Sequence, residues 1–195
     1  MPIDLNETRQ HVLDVAMDVM ARRGYSAVGV NEVLAAAGVP KGSFYYHFGS
    51  KEAFGQAMLE GYFRGYLANM DMIASDASST GAERLMLFWQ QFHEKQAIDE
   101  CQGRCLVVKL AAEVSDLSEP LRLTLLVGTD HIIERVELML RSGIDDGSLR
   151  VEGDPKTVAA SLYGSWVGAS ILAKISHSPE LLDTAMSTTR SLLHL

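Results

Sequence analysis

Most of the chemistry in this chain is concentrated in two short runs of residues. The first reads Gly38-Val39-Pro40-Lys41-Gly42-Ser43-Phe44-Tyr45-Tyr46-His47-Phe48, with Ser50-Lys51-Glu52 after it. On a helix, Phe44 and Phe48 are four residues apart and share a face, so they point together into a small core. Lys41, Ser43, Tyr45, Tyr46 and His47 then turn to the other sides. A lysine, a hydroxyl and two phenols suit phosphate oxygens and base edges, and Gly42 lets a backbone come close. Residue types alone leave a second reading open, a solvated helix with two half-buried tyrosines.

The second run is Gly103-Arg104-Cys105-Leu106-Val107-Val108-Lys109-Leu110. A thiol in a first helical turn, beside Arg104 and one turn before Lys109, is placed where positive charge favours thiolate. The alternative is a buried cysteine acting as a small hydrophobe. Cys101 lies four residues earlier, but two thiols and His93 fall short of the four ligands a structural zinc takes, so neither a metal nor a cofactor is expected. An enzyme is not expected either. There is no Cys-x-x-Cys with a βαβ pattern, no dinucleotide glycine fingerprint and no His-Glu-x-x-His, which leaves a helical thiol oxidoreductase using Cys101 and Cys105 as that class's reading.

The elements that must hold these residues are helices. Sustained alternation and hairpin turns are missing, while apolar residues recur at helical spacing almost throughout, which predicts an all-α fold of about nine helices. The expected helices cover 5–23, 30–37, 41–48, 50–74, 82–99, 103–114, 119–142, 155–176 and 179–193. Gly24 is placed to cap the first, Pro40 to open the third and Ser50 to cap the fourth. Two short helices joined by Gly38-Val39-Pro40 read as a helix-turn-helix. The expected organisation is a three-helix module over 1–52 and a helical regulatory and dimerisation body over 53–195, with 53–74 as connecting helix. The small polar run 75–81 is the best linker candidate, and 143–147 and 177–179 read as turns.

The chain carries 17 basic and 25 acidic residues, a net of −8. The first 70 residues hold six basic and seven acidic side chains, a net of −1, against −7 in the rest. Only the N-terminal third tolerates a polyanion, and its weak basicity predicts modest non-specific affinity. MPIDLNETRQ is not a secretory leader and no uncharged stretch reaches 18 residues, so a cytoplasmic protein without a membrane span is expected. Two cysteines suggest reduced thiols.

Toward the C-terminus, Ala160, Gly164 and Gly168 recur every four residues beside Ser161, Ser165 and Ala169, with Leu181, Leu182, Ala185, Leu192 and Leu193 on the next helix. Small residues in such a stripe let another helix approach, which predicts a homodimer seam through Ala160, Gly164, Gly168, Leu181 and Ala185, with packing inside one chain as the alternative. Met86, Phe88, Trp89, Phe92, His131, Tyr163 and Trp166 read as core, with a cavity lining as the alternative, and His131 as a satisfied histidine.

The run from Gly38 to Phe48 with Lys51-Glu52 resembles the DNA-binding motif of the TetR family of repressors, closely over about the first 55 residues. The resemblance implies a double-stranded operator as partner, with Lys41, Gly42, Ser43, Tyr45, Tyr46 and His47 at or near DNA and Lys51 on a phosphate. Val30 after Gly29 departs from the family's frequent hydroxyl at the opening of the second helix, leaving that phosphate contact to Asn31 or to nothing. The stretches 103–120 and 168–176 are similar to the NemR-type, electrophile-sensing branch of the family. That similarity implies Cys105 as the sensor of electrophiles or oxidants, with Lys174 as its neighbour, and it assigns no role to Cys101. Alternatives are an exposed Lys174 complementing its helix dipole, and a reversibly bound small molecule as effector with Cys105 structural.

Overall fold

A computed structural model describes residues 5–103 and 105–195. Among the described residues there are nine helices and no strand: α1 (Leu5–Arg23), α2 (Val30–Ala37), α3 (Lys41–Phe48), α4 (Lys51–Ala74), α5 (Gly81–Cys101), α6 (Leu106–Leu117), α7 (Glu119–Asp145), α8 (Pro155–Ser176) and α9 (Glu180–Leu192). The all-α expectation holds. The chain forms two compact units, the described parts of 1–64 with 104–128 and of 65–103 with 129–195.

In the first unit, the local chemistry that ends α1 and starts α4 follows the sequence. Gly24 adopts φ +89 and its N–H donates to Met20 O at 2.8 Å, closing α1. Gly38 at φ +66 caps α2, and Val39 N–H donates back to Leu34 O at 3.0 Å, a Schellman-type closure that turns the chain into α3 within three residues. Ser50 Oγ accepts from Ala53 N–H at 3.0 Å and caps α4. The core formed here is aromatic: Phe54 of α4 lies 5.1 Å from Phe44 and 4.9 Å from Phe48, both edge to face. Each such pair is worth ~0.5–1.5 kcal/mol beyond its buried area, and together they fix the face of α3 that points inward. Helix α6 packs on α1 and buries Leu106, Leu110 and Val114.

The second unit is built on α5, α8 and α9. Trp89 and Trp166 stack 5.0 Å apart and nearly parallel, with Phe88 and Phe92 around them. Trp166 Nε1 donates to Thr189 Oγ1 at 3.0 Å, which in turn donates to Ala185 O at 2.8 Å, so α9 is tied to α8 through a satisfied buried polar pair. Helix α8 is long and apolar enough to cross a membrane by length and composition, yet 44% of that window is buried against the bundle. Val158, Leu162, Tyr163 and Trp166 are among the residues it buries.

Four expectations change. The run 75–81 is an ordered turn inside the second unit: Asp76 accepts from Ser78 and Ser79, whose hydrogen bonds pull its carboxyl down to about 2, and Thr80 with Glu83 forms a capping box. Helix α7 runs through Gly143 to Asp145, and glycine serves close packing there and not a bend: a Cβ on Gly143 would come 2.6 Å from Leu149 Cγ and 3.2 Å from Ala82 N. Helix α6 starts at Leu106, three residues late, after a left-handed turn at Asp99, Glu100 and Cys101 (φ 52, 57 and 64) that no glycine or asparagine announces. His131 is exposed, not satisfied within a core.

Candidate nucleic-acid interface and thiol site

On α3 the two phenylalanines are inside, Phe44 at 1% and Phe48 at 8% exposure. Tyr46 at 72% and Tyr45 at 55% stand out into solvent, an unusual degree of exposure for aromatic rings. Lys41 and Gly42 are exposed, Ser43 and His47 half-buried. A Cβ on Gly42 would meet nothing within 4 Å, so internal packing does not require glycine there. His47 Nε2 is covered and has no hydrogen-bond partner. At the opening of α2, Gly29 supplies no side-chain cap and Asn31 is exposed.

Lys51 has an internal role. Its Nζ donates to Tyr25 O at 3.0 Å and lies 4.6 Å from the Tyr25 ring centre, while Tyr25 Oη donates to Lys51 O at 2.9 Å. Burial, then the Glu52 and Glu113 charges, push the Tyr25 phenol up to about 12. The start of α4 is thereby bound to the turn after α1. A second tie runs from the same turn to α6: Glu113 Oε2 accepts from Tyr25 N–H at 3.1 Å and Oε1 from Ser26 N–H at 2.6 Å.

Cys105 belongs to the same unit. It is the N-cap residue of α6, 7% exposed, and its Sγ accepts a hydrogen bond from Tyr62 Oη of α4 at 3.4 Å. Arg104, invoked above as its neighbour, lies outside the described residues. The charge of Lys109 acts on Glu113. Cys101 lies in the second unit at 4% exposure, where burial, then the Asp183 charge, push its thiol up. The two cysteines are thus chemically unlike: one has a hydroxyl donor on its sulfur, the other an environment that keeps it protonated. Lys174 stands half-buried in the last turn of α8, in the unit that does not contain Cys105. His93 pairs with Asp183 at 2.7 Å, and no metal-sized group of ligand side chains occurs among the described residues.

The small-residue stripe on α8 is open. Ala160 and Gly164 are exposed, a Cβ at Gly164 or Gly168 would meet nothing within 4 Å, and the same face continues through Ile171 (42% exposed), Leu172 (50%) and Ile175 (71%). On α9, Leu181 is exposed. Ala185 is a correction to the expected seam: with Leu182, Thr189 and Leu193 it faces inward and is covered within its own protomer. Among the residues read as core, Phe88, Trp89, Phe92, Tyr163 and Trp166 are buried and Met86 half-buried. The Trp89 indole N–H has no partner.

Sequence reasoning missed Tyr62 and Glu113. Each meets its partner across 43 and 88 residues of chain, and no local pattern encodes a contact that only the packing of α4 and α6 creates.

Residues 12–58 match the bacterial regulatory proteins of the tetR family, and residues 81–189 match the tetracyclin repressor-like C-terminal domain. The chain is 35% identical to the HTH-type transcriptional repressor NemR of Escherichia coli (strain K12), over 96% of this chain and 94% of that protein. It is also 35% identical to the HTH-type transcriptional repressor DhaR of Mycobacterium sp. (strain GP1), over 90% of this chain and 86% of that one. The crystal structure of reduced E. coli NemR superposes with a TM-score of 0.91 at 37% identity, covering 96% of this chain and 97% of that chain. The helix-turn-helix unit, the helical second unit and these matches across nearly the whole length place the chain in the TetR family of bacterial regulatory proteins.

Proposed function

We propose that this protein is a dimeric transcriptional repressor that leaves a palindromic operator when electrophiles or oxidants modify Cys105. The reading of DNA falls to α3. Lys41 and the half-buried Ser43 suit phosphates, Tyr45 and Tyr46 have exposed rings and hydroxyls for sugar, phosphate or base edges, and the half-buried His47 follows them on the same helix. Gly42 permits close approach of the backbone. Lys51 is already bonded to Tyr25 O and retains two further N–H donors for a phosphate. Two copies joined through Ala160, Gly164, Gly168 and Leu181 present two such helices related by a two-fold axis, which requires a palindromic site.

The observation that carries the sensing half is the position of Cys105. Its sulfur sits at the N-cap of α6 within the unit that contains the helix-turn-helix, hydrogen-bonded to Tyr62 of α4, the helix that follows α3. A thiolate attacks soft electrophiles with formation of an S–C bond, and peroxides oxidise it to sulfenic acid. At 7% exposure there is no room for an adduct without moving the start of α6 or the Tyr62 side chain. Moving a population from 99% bound to 1% bound takes ~5.5 kcal/mol. Overpacking costs ~1–3 kcal/mol per site, so two modified sites in a dimer supply a matching amount. Lys174 is given a part in the response by the likeness of 168–176 to the NemR-type branch.

The test is operator binding by the full-length protein to a duplex from upstream of its own gene. Tight binding with reductant, release after N-ethylmaleimide and retention by Cys105→Ser are expected; release of Cys105→Ser to the same extent overturns the thiol reading. One observation favours a second reading, in which a reversibly bound small molecule is the effector: the buried, unpartnered Trp89 N–H would suit an acceptor oxygen. In that case Cys105→Ser responds like the wild type.

A further inference from the structure

We propose that Glu113 is the latch through which α6 controls the orientation of the DNA-reading helices; the inference rests on Cys105 as the sensor. Three features of the first unit converge on this carboxylate. Its two oxygens each accept a backbone N–H, from Tyr25 and Ser26, in the turn that joins α1 to α2. Gly24 precedes that turn at φ +89, and a Cβ there would come 2.9 Å from Glu113 Oε2, so glycine leaves the approach open. Burial alone would push the carboxyl up, but the Ser26 and Tyr25 hydrogen bonds and the Lys109 charge outweigh it and hold Glu113 below the usual carboxylate range. The group is therefore an anion at neutral pH, and both of its contacts are charge-assisted.

Glu113 and Cys105 share one rigid element. Eight residues of α-helix separate them by about 12 Å along the axis, and α6 packs on α1. The same turn is held on its other side by Lys51, whose ammonium donates to Tyr25 O. The turn that sets the angle between α1 and α2 is thus gripped from α6 by Glu113 and from α4 by Lys51, and these two helices also meet at the Tyr62–Cys105 hydrogen bond. An adduct at Sγ displaces α6 relative to α4 at that point. Glu113 passes the displacement to the Tyr25–Ser26 amides, and α2 and α3 move with them. Side-chain packing alone would transmit through many residues; a bidentate carboxylate concentrates the transmission in one, which makes it removable by one substitution.

The experiment compares wild type, Glu113→Gln and Glu113→Ala, each as the full chain, on the upstream duplex before and after complete N-ethylmaleimide labelling of Cys105. The quantity read is the ratio of labelled to unlabelled Kd. With the latch gone, that ratio falls by about tenfold relative to wild type, within the usual range of coupling between sites, while the rate of Cys105 labelling stays unchanged. A lesion confined to stability lowers Tm and leaves the ratio alone. In parallel, hydrogen exchange on the wild type needs no variant: labelling raises exchange at the Tyr25 and Ser26 amides, and in Glu113→Gln that exchange is already high and indifferent to labelling. A wild-type ratio in both variants, or Tyr25 and Ser26 amides unmoved by labelling in the wild type, overturns the latch while leaving the sensor standing. A fully labelled wild type that keeps its affinity refutes the sensor, and with it the signal the latch would carry.

Discussion

Replacing Tyr62 with phenylalanine removes one hydroxyl and leaves the ring in place. In the structure that hydroxyl donates to Cys105 Sγ at 3.4 Å. A well-made hydrogen bond to a charged acceptor contributes ~1.5–3 kcal/mol; sulfur is a long, diffuse acceptor and Tyr62 is only half-buried, which reduces the share to about 1 kcal/mol. That energy acts on thiolate and scarcely on thiol, so Tyr62→Phe lowers the thiolate fraction at neutral pH about fivefold. A more basic thiolate is a better nucleophile, with a Brønsted slope of ~0.4–0.5, and this returns about a factor of two. The net expectation is N-ethylmaleimide labelling of Cys105 about two- to threefold slower at pH 7. At alkaline pH, where both proteins are fully thiolate, the order reverses and the variant reacts about twofold faster. The assay is the second-order labelling rate across pH, followed at Cys105 by mass spectrometry. Rate profiles that differ by one constant factor at every pH would indicate access, not thiolate stabilisation, and identical profiles would remove Tyr62 from the site.

Three further outcomes follow from the same geometry. Lys41→Ala reduces the slope of log affinity against log salt by about 0.9 if Lys41 holds one phosphate, and an unchanged slope in a salt titration takes it out of the interface. Gly164→Leu fills open space on α8, so light scattering at micromolar concentration should give a folded monomer; a full dimer would move the seam elsewhere. Tyr25, raised to about 12, titrates above the ordinary tyrosine value near 10; a folded pKa above the unfolded one contributes stability that is complete below pH 10 and lost between pH 10 and 12. Denaturant titrations of wild type against Tyr25→Phe check this, since the variant should lose less stability across that window.

What the sequence made legible was local chemistry. Gly24, Gly38 and Ser50 stop and start helices by their own backbone or hydroxyl, and Phe44 with Phe48 declares the inner face of α3 by spacing alone. The family resemblance pointed correctly to a TetR-type regulator because a surface reading helix is written in consecutive residues. Contacts formed between distant segments were not legible. Glu113 reaches the Tyr25–Ser26 turn only because α6 packs on α1, and Tyr62 reaches Cys105 only because α4 and α6 share a unit. Ala185 was misplaced for a related reason: α9 has apolar residues on both faces, and burial inside the protomer, not periodicity, separates Ala185 from Leu181. Gly143 looked like a turn since a glycine required for a close helix crossing has the same letter as one required for a bend.

The most direct test of Cys105 as the switch is limiting N-ethylmaleimide added to the DNA-bound protein, with labelled peptides and released duplex counted in the same samples. Cys105 labelled ahead of Cys101, with release rising in step with Cys105 occupancy, is the expected result. Cys101 labelled first, or duplex released while Cys105 is still unmodified, would contradict it.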